Sequence, residues 1–362
     1  MKKRLLSMLL CAAMVAAMVV GCGSSEEATS EEAATSEEAK AGDVNGDGKI
    51  VVGYISKNIV DPFHAPINDY ATATLDAMVE AGEIDEWTGV LDGETDANKQ
   101  IDRATDCISK ACDYVIILPA EATASDAAVT QMADAGIKVI VVNSKTDSTD
   151  DVAMGYCGPD DVRAGEMLAE WVVENCPEGG KYAHCQGVIG NSAQIQRGEG
   201  MAKVMADHPE FELIQDFPCD WQADKAANVA ADMMNQYGDE LVAIICDNDD
   251  MSSAAQKACN ENGRSDVVCV GVDGNPNPLQ MVKDGEMGAT VLQDGPGQVA
   301  GAIEMIKTCL AGETPEKEIA VPFVLVTIDN VESLKGMLSN VRRMIKEYAK
   351  KTPKLTVFQH YQ

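Results

Sequence analysis

Aromatic residues are scarce in this chain: Phe, Trp and Tyr make up 4% of its 362 residues. Basic residues are few as well, 28 Lys and Arg against 59 Asp and Glu, for a net charge of −31. So acidic a body repels phosphate backbones and anionic lipid heads, which excludes nucleic acid as a partner. The four histidines, His64, His184, His208 and His360, have no metal-binding spacing, and no Cys-x-x-Cys occurs. Gly187-Val-Ile-Gly190 lacks the spacing of a phosphate-binding loop. No activated Ser or Cys stands beside a His, so no catalytic centre and no cofactor are expected.

The N-terminus reads as a targeting signal. Lys2, Lys3 and Arg4 precede an almost unbroken apolar run, Leu5 to Val20, that is short for a membrane-spanning helix. Val19-Val20-Gly21-Cys22 resembles the bacterial lipobox, in which the chain is cut before the Cys and the thiol is lipidated. Residues 1–21 are therefore expected to be removed, and Cys22 to carry a lipid anchor. Loss of three basic residues takes the net charge from −31 to −34. Residues 22–48 repeat a Ser-Glu-Glu-Ala unit without large apolar residues, a composition expected to form a disordered spacer.

At the end of this spacer, Asp43, Asn45 and Asp47 alternate as in the first half of a calcium loop. Tyr54 stands where such a loop needs a bidentate acid, so a plain turn before the first strand is expected. Twelve cysteines would suit a disulfide framework. Many of them, such as Cys246 and Cys269, lie within apolar runs, where a thiol acts as a small core residue. Mostly free, buried thiols are expected.

From Lys49 to about Asp329, short β-type runs alternate with amphipathic stretches. The strand candidates are 50–55, 114–118, 138–142, 181–185, 241–246, 267–272 and 290–292. The helix candidates are 70–81, 97–110, 161–174, 194–206, 224–237 and 298–311. This alternation predicts an α/β fold of parallel sheets flanked by helices. In such folds ligands sit at the carboxyl ends of strands. Asp61, Phe63 and His64 follow the first strand, and Asn143, Asn248, Asp273 and Gln293 each end a later one. Carboxylates and amides suit sugar hydroxyls, and flat rings such as Phe63 and Trp221 suit the C–H faces of a pyranose.

The motifs Asp61-Pro-Phe63, Pro119-Ala-Glu-Ala-Thr-Ala-Ser-Asp126, Gln196-Arg197-Gly-Glu-Gly200, Cys246-Asp-Asn248-Asp-Asp-Met251, Gly271-Val-Asp273-Gly274 and Ala289-Thr-Val-Leu-Gln293 occur in that order. Over residues 49 to about 331 the chain resembles the type I periplasmic sugar-binding proteins, the family of the ribose and glucose/galactose receptors. The resemblance implies two Rossmann-like lobes joined by a three-crossing hinge near Gly158–Pro159, Gln293–Asp294 and Val321–Pro322. The lobes would comprise residues 49–158 with 294–321, and 159–293 with 322–334, followed by a basic extension at 335–362.

The resemblance further implies that Asp61 and Asn143 bind ligand hydroxyls from one lobe, and Arg197, Asn248 and Asp273 from the other. Phe63 and Trp221 would stack on the ligand, His64 would pack or hydrogen-bond, and Gln293 would lie at a hinge crossing. Asn143-Ser144 departs from the ribose-receptor Asp-Arg pattern, while Asn191 and Ala193 depart from the glucose/galactose pattern. Leu118 replaces a residue that is polar in many relatives.

The expected function is capture of a monosaccharide, an aldohexose first and a pentose or polyol as the alternative. An extracytoplasmic, monomeric lipoprotein would deliver it to the permease of an ABC importer. A sugar sensor that signals to a membrane receptor or kinase would share the same pocket. A related repressor would need an N-terminal DNA-binding helix-turn-helix in place of the lipobox.

Overall fold

The computed structural model describes residues 40–334. The expected signal, the expected lipidation site at Cys22, most of the expected spacer and the 335–362 extension lie outside the described residues. In chain order the elements are β1 (Val51–Ser56), α1 (His64–Glu80), β2 (Glu86–Asp92), α2 (Ala97–Ser109), β3 (Tyr114–Ile117), α3 (Asp126–Asp134), β4 (Lys138–Val142), α4 (Thr149–Val152), β5 (Gly155–Gly158), α5 (Asp161–Asn175), β6 (Gly180–Gln186), α6 (Ser192–Met205) and β7 (Phe211–Pro218). They continue with α7 (Ala223–Tyr237), β8 (Leu241–Cys246), α8 (Asp249–Glu261), β9 (Val268–Val270), β10 (Val272–Asp273), α9 (Pro276–Asp284), β11 (Ala289–Leu292), α10 (Gly295–Leu310), β12 (Glu318–Ala320) and β13 (Val324–Thr327).

Two parallel sheets result. The first has the order β12-β5-β4-β3-β1-β2 and the second β7-β6-β8-β9, with β10-β11-β13 as a small third sheet. Among the described strands only the β11–β13 pair is antiparallel. The first sheet is covered on both faces. Val52, Tyr54, Ile116 and Ile140 pack with residues of α1 and α10, while Ile55, Val115, Ile117 and Val141 pack with residues of α2 and α3. Burial on both faces is why these strands read as continuous apolar runs rather than alternating ones. The second sheet repeats the plan: Tyr182, Ala243 and Ile245 face α5 and α6, and Ala183, Ile244 and Cys246 face α7 and α8. The chain passes between the lobes after β5, after β11 and after β12, so three segments link two α/β bodies.

Several elements depart from the sequence expectation. α1 starts at His64, six residues before the expected Tyr70, because Pro66 falls in the first turn, where a missing N–H is tolerated. β2 and β7 are edge strands with few buried residues, so neither carries a clear apolar pattern. α8 opens with polar and small residues and is begun by Asn248, whose side chain accepts from the Met251 amide. The run expected at 267–272 divides into β9 and β10 around Gly271, where a Cβ would lie 2.5 Å from the Asn248 carbonyl oxygen and 2.4 Å from the Ser252 hydroxyl.

The Asp43 loop spends its oxygens on its own backbone: Asp43 accepts from Gly46 and Gly48, Asn45 from Asp47, and Asp47 from Lys49. All ten cysteines in the described region are free, and all but Cys176 and Cys309 are buried. Among the described residues no helix is long and apolar enough to cross a membrane.

Candidate ligand-binding cleft

The strand order reverses at β1 in the first sheet (β2-β1-β3) and at β6 in the second (β7-β6-β8). In an open parallel sheet, that reversal leaves a crevice at the strands' carboxyl ends. The two crevices face one another across a cleft of about 340 Å³. Asp61, Phe63, His64, Asn143, Arg197, Trp221, Asn248, Asp273 and Gln293 all line it, so every residue the sequence suggested for ligand contact meets in one place.

The β1–α1 loop supplies the first wall. Nδ1 of His64 lies 2.8 Å from both carboxylate oxygens of Asp61, and the His64 ring meets Phe63 edge-on at 5.0 Å. Burial works to raise the Asp61 carboxyl, but the charge and hydrogen bonds of His64 outweigh it and hold the group near pKa 2. Asp61 is therefore a fixed acceptor.

The floor is a closed amide network. Asn143, at φ +70°, donates through Nδ2 to Gln293 and Gln298, both at 3.1 Å. Gln293 in turn donates to Asp273 at 2.8 Å. Both amide hydrogens of Asn143 are thus already committed, and its carbonyl oxygen is approached by the Ser144 hydroxyl. Asp273 is pushed up strongly by burial and by the nearby Asp249 carboxylate.

The opposite wall is built on Arg197, which is 4% exposed. Its Nε donates to Asp161 at 2.8 Å and its Nη1 to the Asp247 carbonyl. Nη2 has no hydrogen-bond partner among the described residues. Trp221 lies flat over Gly187, where a Cβ would fall 2.1 Å from the indole ring. Trp221 and its neighbour Asp220 adopt left-handed backbone, φ +63° and +53°, a cost that non-glycine residues bear at constrained sites. At the rim the lobes touch: Asn191 Nδ2 donates to the Ala120 carbonyl, the Ala122 amide to the Gly190 carbonyl, and the Lys145 amide to the Ser192 hydroxyl.

Sequence reasoning missed part of this lining, including Lys57, Asn58, Thr95 and Asp250. Lys57 and Asn58 directly follow β1 and satisfied the same strand-end criterion as Asn143. Asp250 lines the cleft, and burial and the facing Asp61 charge raise its pKa. Its neighbour Asp249 is fully buried, accepting from Thr290 Oγ1 at 2.5 Å and from the Asn275 amide at 2.8 Å. That makes Asp249 a tie between α8 and β11 rather than a surface acid. Leu118 points into the first core and does not reach the cleft.

The periplasmic binding protein domain family model matches residues 52–314. The chain belongs to this family. Among relatives, it is 28% identical over 283 residues to the ribose import binding protein RbsB of Salmonella typhimurium, covering 78% of this chain and 92% of that protein. It is 27% identical over 237 residues to the xylitol-binding protein of Mycolicibacterium smegmatis, covering 66% and 67%. Among solved structures, an ABC transporter solute binding protein from Bacillus halodurans with bound myo-inositol superposes with a TM-score of 0.73 at 26% identity, over 80% of this chain and 98% of that one. The family's architecture, parallel sheets flanked by helices, is the one seen here, with the cleft at the carboxyl ends of both sheets.

Proposed function

We propose that this protein is an extracytoplasmic solute-binding protein for a small polyhydroxylated ring, a monosaccharide or cyclic polyol, which it hands to the permease of an ABC importer. One observation carries the reading: committed carboxylates, amides and one guanidinium converge from two lobes, with Phe63 and Trp221, on a cleft of about 340 Å³. Sites for small ligands begin at roughly this size, and a few placed polar groups with aromatic surfaces are what hydroxyl-bearing rings require. The names of relatives that bind ribose, xylitol and myo-inositol support the class. An aldohexose remains a member of it. Cys22 would supply the membrane anchor, and the protein would act as a monomer. Ligand binding rather than turnover is the activity, in keeping with relatives named as binding proteins.

Thermal shift and isothermal titration against D-ribose, D-allose, D-glucose, D-galactose, xylitol and myo-inositol test the proposal. Saturable binding of at least one compound is expected. It should weaken by at least about a hundredfold in Trp221→Ala, which strips the stacking surface. Binding by none of the six, or undiminished binding in the variant, would overturn it.

A further inference from the structure

α2 ends in a turn that closes on two thiols. The Cys112 amide donates to the Cys107 carbonyl at 3.1 Å and the Ala111 amide to the Ile108 carbonyl at 3.0 Å, with Ala111 at φ +53°. This pair of bonds around a left-handed residue is the Schellman ending of a helix, in which side chains on either side of the turn meet, normally as an apolar contact. Here they are Cys107 and Cys112, 0% and 2% exposed and hydrogen-bonded to each other. Gly53, in the middle of β1, leaves room for both sulfurs: a Cβ there would lie 2.8 Å from the Cys107 Sγ and 3.5 Å from the Cys112 Sγ. The backbone hydrogen bond between the two residues also brings their Cα atoms to the separations a disulfide spans, roughly 4–7 Å.

The Cys107 thiol donates to the Cys112 sulfur, which pushes the Cys107 thiol far up and lowers that of Cys112, and the Lys110 ammonium adds to the lowering. Cys112 is therefore the better attacking sulfur. The pair lies directly beneath the exposed turn Ser109-Lys110-Ala111, and helix ends open locally at little cost. Cys185, Cys246 and Cys269, by contrast, lie in strands of the second sheet beneath α7 and α8. The same turn holds the chain as it enters the first lobe. Asn45 donates to the Ala111 carbonyl, and the Asp113 carboxylate accepts from the amides of Val44, Asn45 and Val51.

We infer that Cys107 and Cys112 are a disulfide-forming pair, oxidised by exchange with a small-molecule disulfide, and that their bond staples the end of α2 where the N-terminal segment joins the lobe. The Cys112 thiolate attacks one sulfur of the small disulfide and expels the other as a thiolate, which takes up the proton that Cys112 gave to solvent. The Cys107 sulfur then loses its proton and attacks the Cys112 sulfur of the mixed disulfide, expelling the second small thiol. Two cysteine sulfurs are oxidised, and one small disulfide is reduced to two thiols. The site is separate from the cleft, whose lining contains neither cysteine. Disulfides persist in extracytoplasmic compartments, the placement proposed above.

The test incubates the reduced protein with oxidised glutathione at pH 8, quenches with acid, alkylates, and digests with trypsin without reductant. Cleavage after Arg103, Lys110 and Lys138 puts Cys107 in residues 104–110 and Cys112 in residues 111–138, each the only cysteine of its peptide. Expected are the two peptides joined to each other, their release by reductant, and a melting temperature a few degrees above that of the reduced protein. The Cys107→Ala/Cys112→Ala double variant, treated alike, should show no such gain. Cys107→Ala alone should keep glutathione on Cys112 as a stable mixed disulfide, whereas Cys112→Ala should take up none on Cys107. Melting in reductant reports whether the variants fold. If excess probe leaves the two peptides separate, or joins either to another cysteine, the pairing is wrong. A joined pair without a gain in melting temperature, or with the same gain in the double variant, would overturn the stapling role. Glutathione held on Cys107 would overturn the assignment of Cys112 as the attacking sulfur.

Discussion

His184, in the middle of β6, is 1% exposed, with Nδ1 2.7 Å from Asp216 and Nε2 3.0 Å from Asp247. Burial alone would lower its pKa, but the two carboxylates outweigh burial and raise it to about 9. With a carboxylate at each nitrogen, the ring is a doubly donating imidazolium at neutral pH. Asp247 passes that constraint to the cleft, since its other oxygen accepts from the Gly187 amide beneath Trp221, and its carbonyl accepts from Arg197. A group whose folded pKa lies above its unfolded value of about 6.5 contributes stability that is complete below 6.5 and is lost as pH rises through 9. The contribution is on the order of 3 kcal/mol. Urea unfolding should show wild type losing about that much between pH 6 and pH 9.5. His184→Gln should be weaker at pH 6 by a similar amount and flatter across the range. Equal pH slopes in the two proteins would remove His184 from this role.

The same residue shows what a sequence withholds. Asn143, Asn248 and Asp273 could be read in advance because a polar residue at the end of an apolar strand stands out against its run. His184 could not, because its partners lie 32 and 63 positions away, in β7 and just past the end of β8, and only strand order brings them together.

At the level of elements, α5 and α6 cross so closely that their contact is made through glycine. A Cβ on Gly165 would stand 2.0 Å from the Arg197 carbonyl oxygen, and one on Gly200 would stand 2.0 Å from that of Val162. Both obstacles are backbone, so neither can be relieved by a side-chain turn. The close crossing sets Asp161, at the start of α5, within 2.8 Å of Arg197 in α6. Two glycines inside helices thus cost helix propensity and secure the buried ion pair of the cleft wall. Gly165→Ala should lower stability by about 1–3 kcal/mol through forced separation. It should also weaken ligand binding, because Arg197 moves with its helix, whereas Gly263→Ala, with no atom within 4 Å of the added Cβ, should leave binding unchanged. Chemical denaturation and titration calorimetry on both variants check this pair. The same feature explains why central strands were legible and helix contacts were not. Apolar continuity marks a strand buried on both faces, while a helix crossing depends on where two small residues happen to meet. β2, β7 and α8, with mixed or polar faces, carried no such mark.

At the scale of the whole molecule, we propose that the lobes open and close about the segments that join them. Three chain segments join the lobes, and the rim contacts at Ala120, Ala122 and Lys145 are made only while the lobes are together. A ligand touching both walls adds to the same side of that equilibrium, so its affinity includes whatever closure costs or returns. Asn191 separates this term from the rest. Its Oδ1 accepts from the Ala193 amide 3.0 Å away and caps α6, while its Nδ2 donates across the cleft to Ala120 at 2.8 Å. Asn191→Asp keeps the cap acceptor, removes the donor, and sets a carboxylate against a carbonyl in a fully buried position. Opening restores water to that carboxylate, which makes the open form the favoured one. Small-angle scattering of the ligand-free variant should therefore show a larger radius of gyration than wild type. Affinity should fall by roughly tenfold, the order of one lost hydrogen bond with an added repulsion. Asn191 also lines the cleft, but Phe63, Trp221 and Arg197 are unchanged, so saturating ligand should still return the variant to the wild-type radius. If the variant stays closed without ligand, the rim contacts do not govern the equilibrium, and closure must be set in the three linking segments themselves.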